Sequence, residues 1–210
     1  MSKTYSIKEI YYTLQGEGFH SGRPAIFCRF SGCNLWSGRE EDRSSAICQF
    51  CDTNFWGTDG ENGGKYSAES LSEKILELWP LADKPFIVFT GGEPALQLDE
   101  PLITELKKYK SEIAIETNGT LELPDGIDWI CMSPKANTEI VVTKGQEMKI
   151  IYPQEGIDPL DFIGYDYEHL YIQPMDNPLR DENTIQAIEF CKQNPKYKLS
   201  IQSHKYLNIP

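Results

Sequence analysis

The chain has 210 residues, 40% of them apolar, with 32 acidic and 20 basic side chains and a net charge of -12. The length suits one domain, residues 1–210, and the composition excludes a wholly disordered chain, while no apolar run approaches the ~18 residues of a membrane span. The acidic balance disfavours a nucleic-acid partner, because phosphates would be repelled. The start, Met1-Ser2-Lys3-Thr4-Tyr5, has no apolar signal region, so a cytoplasmic protein is expected. In that compartment six cysteines do not read as a disulfide framework.

Short runs rich in β-branched and aromatic residues predict buried strands. The first is 5–13 and the second 25–30; residues 36–47 and the Gly-rich 57–64 then read as loops. A helix follows over 70–79, with Leu71, Ile75, Leu78 and Trp79 on one face, Ser70 and Glu73 at capping-box spacing, and Pro80 as its stop. After a strand at 86–89, Asp99 can cap a second helix. Pro101 lies in its first turn, and Leu102, Ile103, Leu106 and Tyr109 share a side. Strands are expected at 113–115, 128–132, 148–152 and 170–172. A third helix begins at Asp181 or Asn183, buries Ile185, Ile188 and Cys191, and ends before Pro195; a strand at 199–201 closes the series.

Strands alternating with helices imply crossovers and a parallel sheet. The chain is short for a complete eightfold barrel, which takes about 250 residues. An open, partial TIM-like α/β barrel of about six mostly parallel strands and three main helices is therefore expected. Such barrels build sites at the C-terminal strand ends. The unusual residues fall there: Cys33, then Thr90-Gly91-Gly92-Glu93-Pro94, Glu116-Thr117-Asn118-Gly119, Ser133-Pro134-Lys135, Gln173-Pro174-Met175-Asp176, and finally Gln202 with His204.

Fourteen residues separate Cys33 from Cys48, and two separate Cys48 from Cys51. Closely spaced thiolates can share a metal centre. Zinc would want a fourth protein ligand, and His20 is the nearest histidine in sequence; a four-iron cluster needs only three and keeps one iron for an outside ligand. Spacing alone leaves both open. The Gly91-Gly92 turn allows close backbone approach, and Glu93 could accept from a ligand ammonium. Cys28, Cys131 and Cys191 read as buried apolar residues, and Glu40-Glu41-Asp42 as a solvated run.

The cysteines with Gly-Gly-Glu-Pro resemble the radical S-adenosylmethionine (SAM) enzymes. Their usual first gap is three residues, and the long gap here is similar to one subgroup, the 7-carboxy-7-deazaguanine synthases. The likeness runs from Tyr12-Thr13-Leu14-Gln15-Gly16-Glu17-Gly18 through Cys33-Asn34-Leu35-Trp36 and Phe50-Cys51-Asp52-Thr53 to the tail ending at Pro210. It implies a lyase that contracts the ring of 6-carboxy-5,6,7,8-tetrahydropterin to 7-carboxy-7-deazaguanine and expels ammonia, a step toward queuosine. It implies a [4Fe-4S] cluster, SAM and Mg2+ as cofactors. Cys33, Cys48 and Cys51 would ligate the cluster. Phe50, Gly92, Glu93, Ser133, Pro134, Lys135, Gln173, Pro174, Met175 and Asp176 would contact SAM. Thr53 would bind magnesium. Leu14, Gln15, Gly16, Arg29, Thr90 and the Pro210 carboxylate would hold the pterin, with Glu17 and His204 close by. The chemistry belongs to the cofactors, so no side chain is assigned as catalytic. The resemblance also implies a homodimer and an external electron donor such as flavodoxin. Two rivals remain at this point, a radical activase acting on another protein and a non-catalytic zinc or cluster module. The tail and Thr53 speak against the first, the Gly-Gly turn and the polar rim against the second.

Overall fold

A computed structural model describes residues 3–210, so Met1 and Ser2, the first residues of the segment read as lacking a signal region, lie outside it. The predicted strands pair into one sheet. β1 (Tyr5–Leu14) runs antiparallel to β2 (Pro24–Phe30) and, on its other side, to β3 (Gly64–Tyr66). From β2 onward every pairing is parallel. The chain of partners is β4 (Phe86–Gly91), β5 (Glu112–Thr117), β6 (Trp129–Met132), β7 (Lys144–Tyr152), β8 (Asp166–Pro174) and β9 (Tyr197–Leu199). The sheet ends at β3 and β9 and stays open. Its longer parallel strands, β2 and β4 to β8, are the expected partial barrel; the antiparallel pair and three-residue β9 extend it. β3 lies at the edge of the glycine-rich stretch, and three residues are too few for a period to show.

Helix α1 (Ala68–Glu77) begins two residues before the expected point. The Ser67 hydroxyl caps it by accepting from Ser70 N-H, and the Ser70 hydroxyl in turn accepts from Ser67 N-H. Serine thus does at the third helical position what Glu or Gln usually does. Helix α2 (Glu100–Lys107) is capped by Asp99 as expected and buries Leu102, Ile103 and Leu106. It ends before Tyr109, which is exposed rather than buried. Helix α3 (Arg180–Gln193) buries Asn183 and Ala187 and leaves Ile185 and Ile188 exposed. The Asn183 amide donates to Met175 O at 2.9 Å, which fixes that face against the end of β8. Cys191 is only partly buried, unlike Cys28 and Cys131. A five-residue helix α4 (Ser203–Leu207), absent from the periodicity, ends on Asn208 at φ 54°. The 36–47 loop contains a 3-10 turn, Glu40–Ser45.

Two apolar layers hold the barrel from outside. Leu71, Ile75, Leu102 and Leu106 of α1 and α2 pack with Ile26, Ile87, Phe89 and Ile113 of the strands. Met148, Ile150, Ile172, Ala187 and Tyr197 form the second layer beneath α3. Each fully buried Leu or Ile contributes about 1.5–3 kcal/mol. Inside the bore Ala25, Phe86, Val88 and Ala114 fill the lower part. Above them the bore is polar. No helix among the described residues is long and apolar enough to cross a membrane.

Candidate active site

A cavity of about 400 Å3 opens at the C-terminal ends of the parallel strands. Cys33, Cys48 and Cys51 all line it. Cys33 follows β2, and its sulfur accepts from Leu35 N-H at 3.4 Å. The other two sit beyond the long insertion. Arg43 braces that segment: it donates to the carbonyls of Gln49 and Cys51 at 2.8 and 3.0 Å, is held by Glu40, and lies over the Trp36 ring. Glu40 is therefore tied to a cation rather than merely solvated. Burial pushes the Cys48 thiol up to about 11, and the nearby thiols add to this, while Lys135 pulls it down. Among the described residues no three His, Cys, Asp or Glu side chains converge closely enough for a single ion. A four-iron cube asks for another arrangement, three sulfurs on three separate corners.

The Gly91-Gly92 turn joins the ends of β4 and β2. A Cβ on Gly92 would lie 2.1 Å from Gly32 O and 2.8 Å from Cys33 Cβ, and Gly91 has φ +136°. The backbones meet because neither residue has a side chain. Glu93 is fully buried and does not line the cavity. Its carboxylate accepts from Ala95 N-H (2.9 Å), Thr117 Oγ1-H (2.8 Å) and Asn118 N-H (2.7 Å). The expected ammonium contact is thus replaced by bonds that lock the β4 turn to the end of β5. Burial pushes its carboxyl up, and these donors oppose that.

Gly92, Phe50, Ser133, Lys135, Gln173, Pro174, Met175 and Asp176 line the cavity, and Pro134 does not. Lys135 donates to Ser133 O and Oγ at 2.7 and 2.8 Å, and burial holds its ammonium below the ordinary lysine value. The Pro134 carbonyl instead accepts from Gln154 at 3.3 Å. Asp176 accepts from Lys205 of α4 at 2.5 Å, and Lys205 also reaches Asp52 at 2.6 Å. The tail therefore ties the β8 end to the cysteine loop.

Leu14, Gln15, Gly16, Arg29, Thr53, Thr90, His204 and Pro210 line the same cavity. Arg29 has an internal partner: Nε donates to Glu9 at 2.8 Å and Nη2 to the Tyr11 hydroxyl at 2.9 Å. Its Nη1 has no partner among the described residues, so one edge of the guanidinium remains free for a ligand oxygen. The Thr13 hydroxyl donates to Pro210 O at 3.0 Å and holds the tail at the wall. Gly16 packs on the His204 ring, where a Cβ would lie 2.2 Å from Nδ1.

One charged group at the floor was absent from the sequence-based set. Lys149 of β7 is buried, lines the cavity, and bonds Glu17 at 2.5 Å and Glu116 at 2.9 Å. Burial alone would raise the Glu17 carboxyl, but the Lys149 ammonium outweighs it and brings the value to about 2. A lysine inside an otherwise apolar strand run was the available signal, because a buried cation must find carboxylates.

Residues 43–146 match the family described as the radical SAM superfamily. The chain is 58% identical to the 7-carboxy-7-deazaguanine synthase of Burkholderia multivorans, across 99% of this chain and 100% of that one. It is 54% identical to the enzyme of the same name from Caulobacter vibrioides, over 99% and 100%. The crystal structure of QueE from Escherichia coli superposes with a TM-score of 0.72 at 28% identity, covering 96% of this chain and 95% of the other. The likeness extends over the full length of both chains, and the chain belongs to the 7-carboxy-7-deazaguanine synthase family of radical SAM enzymes.

Proposed function

We propose that the chain, acting as one domain over residues 1–210, converts 6-carboxy-5,6,7,8-tetrahydropterin into 7-carboxy-7-deazaguanine and ammonia, a step toward queuosine and other deazapurines. The observation that carries this reading is the gathering of three thiols, a side-chain-free turn and a charged floor around one cavity. Cys33, Cys48 and Cys51 would hold a [4Fe-4S] cluster, and the Gly92 backbone, pressed against Cys33, sets where the first sulfur stands. Lys135 lowers the cost of ionising Cys48 and Cys51, which a metal requires. When bound, the cluster and SAM supply the electron and the radical chemistry.

The protein's part is orientation and exclusion of water. Phe50, between two ligands and lining the cavity, would shield the cluster. Gly92, Ser133, Lys135 and residues 173–176 would line the SAM site, while Glu93 and Pro134 act behind them by fixing the turns. Thr53 would offer its hydroxyl to Mg2+, whose shell substrate oxygens and waters would complete. The free edge of Arg29 would meet the pterin carboxylate, a charge-assisted bond. Leu14, Gln15, Gly16, Thr90 and the Pro210 carboxylate would frame the ring. An external reductant such as flavodoxin and a homodimeric assembly, both implied by resemblance, and a cytoplasmic setting complete the reading.

The test is oxygen-free reconstitution with iron and sulfide, followed by incubation with SAM, Mg2+, a reductant and the carboxylated tetrahydropterin. Product should form without stoichiometric loss of SAM. A reconstituted protein that cleaves SAM but leaves the pterin unchanged would overturn the substrate assignment.

A further inference from the structure

Ring contraction with loss of ammonia moves protons as well as electrons. The departing nitrogen must gain them, and carbon must lose them as the product ring becomes aromatic. The floor of the cavity holds groups suited to both. The Lys149 ammonium gives one hydrogen bond to Glu17 Oε2 and one to Glu116 Oε2. Its third N-H has no partner among the described residues, and the side chain lines the cavity. Glu116 also lines it, and its other oxygen accepts from the Gln15 amide at 3.3 Å. The outer oxygen of Glu17 accepts from Gln202 at 2.9 Å. An acid and a base thus stand side by side in one hydrogen-bonded triad contributed by β5, β7 and the loop after β1.

Resting on the ring-contraction reading above, we propose that Lys149 is the general acid for the departing amine and Glu116 the base for a substrate carbon. As the C-N bond breaks, its electron pair stays with nitrogen, and Lys149 Nζ gives that nitrogen a proton. As a C-H proton passes to the Glu116 carboxylate, the C-H pair forms the new ring double bond. Glu116 then returns the proton to the neutral Lys149 amine across their 2.9 Å contact. The proton count closes, and no oxidant or reductant is consumed. Burial pushes the Lys149 ammonium toward neutrality, Lys135 and His204 also face it, and Cys131, Glu116, Glu17 and Glu147 together outweigh the burial and raise its value.

The test uses reconstituted enzyme and two variants. Lys149→Arg keeps a cation between the two carboxylates but has no readily lost proton. It should bind the pterin within about threefold of wild type, measured by oxygen-free calorimetry. Its kcat for ammonia release should fall by about 10^2 to 10^3, the share typical of general acid catalysis. Lys149→Ala should regain turnover when methylamine or ethylamine is added, in proportion to amine concentration. An Lys149→Arg enzyme within twofold of wild-type kcat would overturn the proposal. So would one whose turnover recovers at saturating pterin, which would make Lys149 a binding group. Failure of every primary amine to rescue an Lys149→Ala protein that still binds pterin would overturn it as well. Absence of ammonia release from wild type would instead strike the ring-contraction reading itself.

Discussion

Gly92→Ala tests how the cluster loop is seated. The added methyl would sit 2.1 Å from Gly32 O and 2.8 Å from Cys33 Cβ, whereas ordinary contact begins at 3.4 Å. A gap of more than an ångström must open between the ends of β2 and β4. Those ends are joined there by Glu93 N-H donating to Gly32 O at 2.9 Å and Gly92 N-H to Phe30 O at 3.3 Å. Overpacking of this kind costs about 1–3 kcal/mol. Losing one of those backbone bonds adds about 1 kcal/mol. A total near 3 kcal/mol lowers the thermal midpoint of a chain this size by about 6–12 °C. Cys33 moves with the loop, so iron bound per chain after reconstitution should fall by about half or more. Gly164→Ala is the matched control, because nothing lies within 4 Å of its Cβ and its φ is not in the left-handed region. Calorimetric melting of the metal-free proteins and an iron assay of the reconstituted ones give the two readouts. A Gly92→Ala protein that melts within 1 °C of wild type and carries full iron would refute the close-approach argument.

Three further outcomes are expected. Arg23 meets Glu112 with two hydrogen bonds of 2.8 and 2.9 Å and holds its carboxyl down at about 2. That stabilisation is present above the unfolded value of 4.5 and is lost as pH falls from about 5 toward 2; after a discount for partial exposure it is about 1–2 kcal/mol. Glu112→Gln should therefore melt lower than wild type at pH 7, with the difference more than halved by pH 3 and closing only toward pH 2 and below; an undiminished gap at pH 3 would contradict the pairing. Arg43→Met removes the donor to Gln49 O and Cys51 O, so iron should pass to a chelator severalfold faster, at about 1 kcal/mol or less of fold stability; unchanged iron release would show that the brace is idle. Thr53→Ala should lose most of the magnesium stimulation of turnover while keeping its iron, and equal stimulation in both proteins would remove Thr53 from the metal site.

The parallel strands, their order along the chain and the rim that carries the chemistry were all legible before folding, because strand runs and turn residues are local signals. The cysteine spacing and the Gly-Gly turn were legible for the same reason. Partner choice was not. Glu93 looks like a ligand-facing carboxylate in sequence, yet Thr117 and Asn118, on the next strand end, take its oxygens. Arg29 in a strand run must pair with some carboxylate, but which one is set by the antiparallel register of β1 against β2, which puts Glu9 opposite it. Helix α3 has apolar residues on one face, but the Asn183 amide and small Ala187 dock the other. Lys149, Glu17 and Glu116 come from three distant segments, and only the curling of the assembled sheet brings them within hydrogen-bond reach. Periodicity records which side of an element is apolar. Which buried charges meet across the bore depends on strand order and register, and those exist only once the barrel has formed.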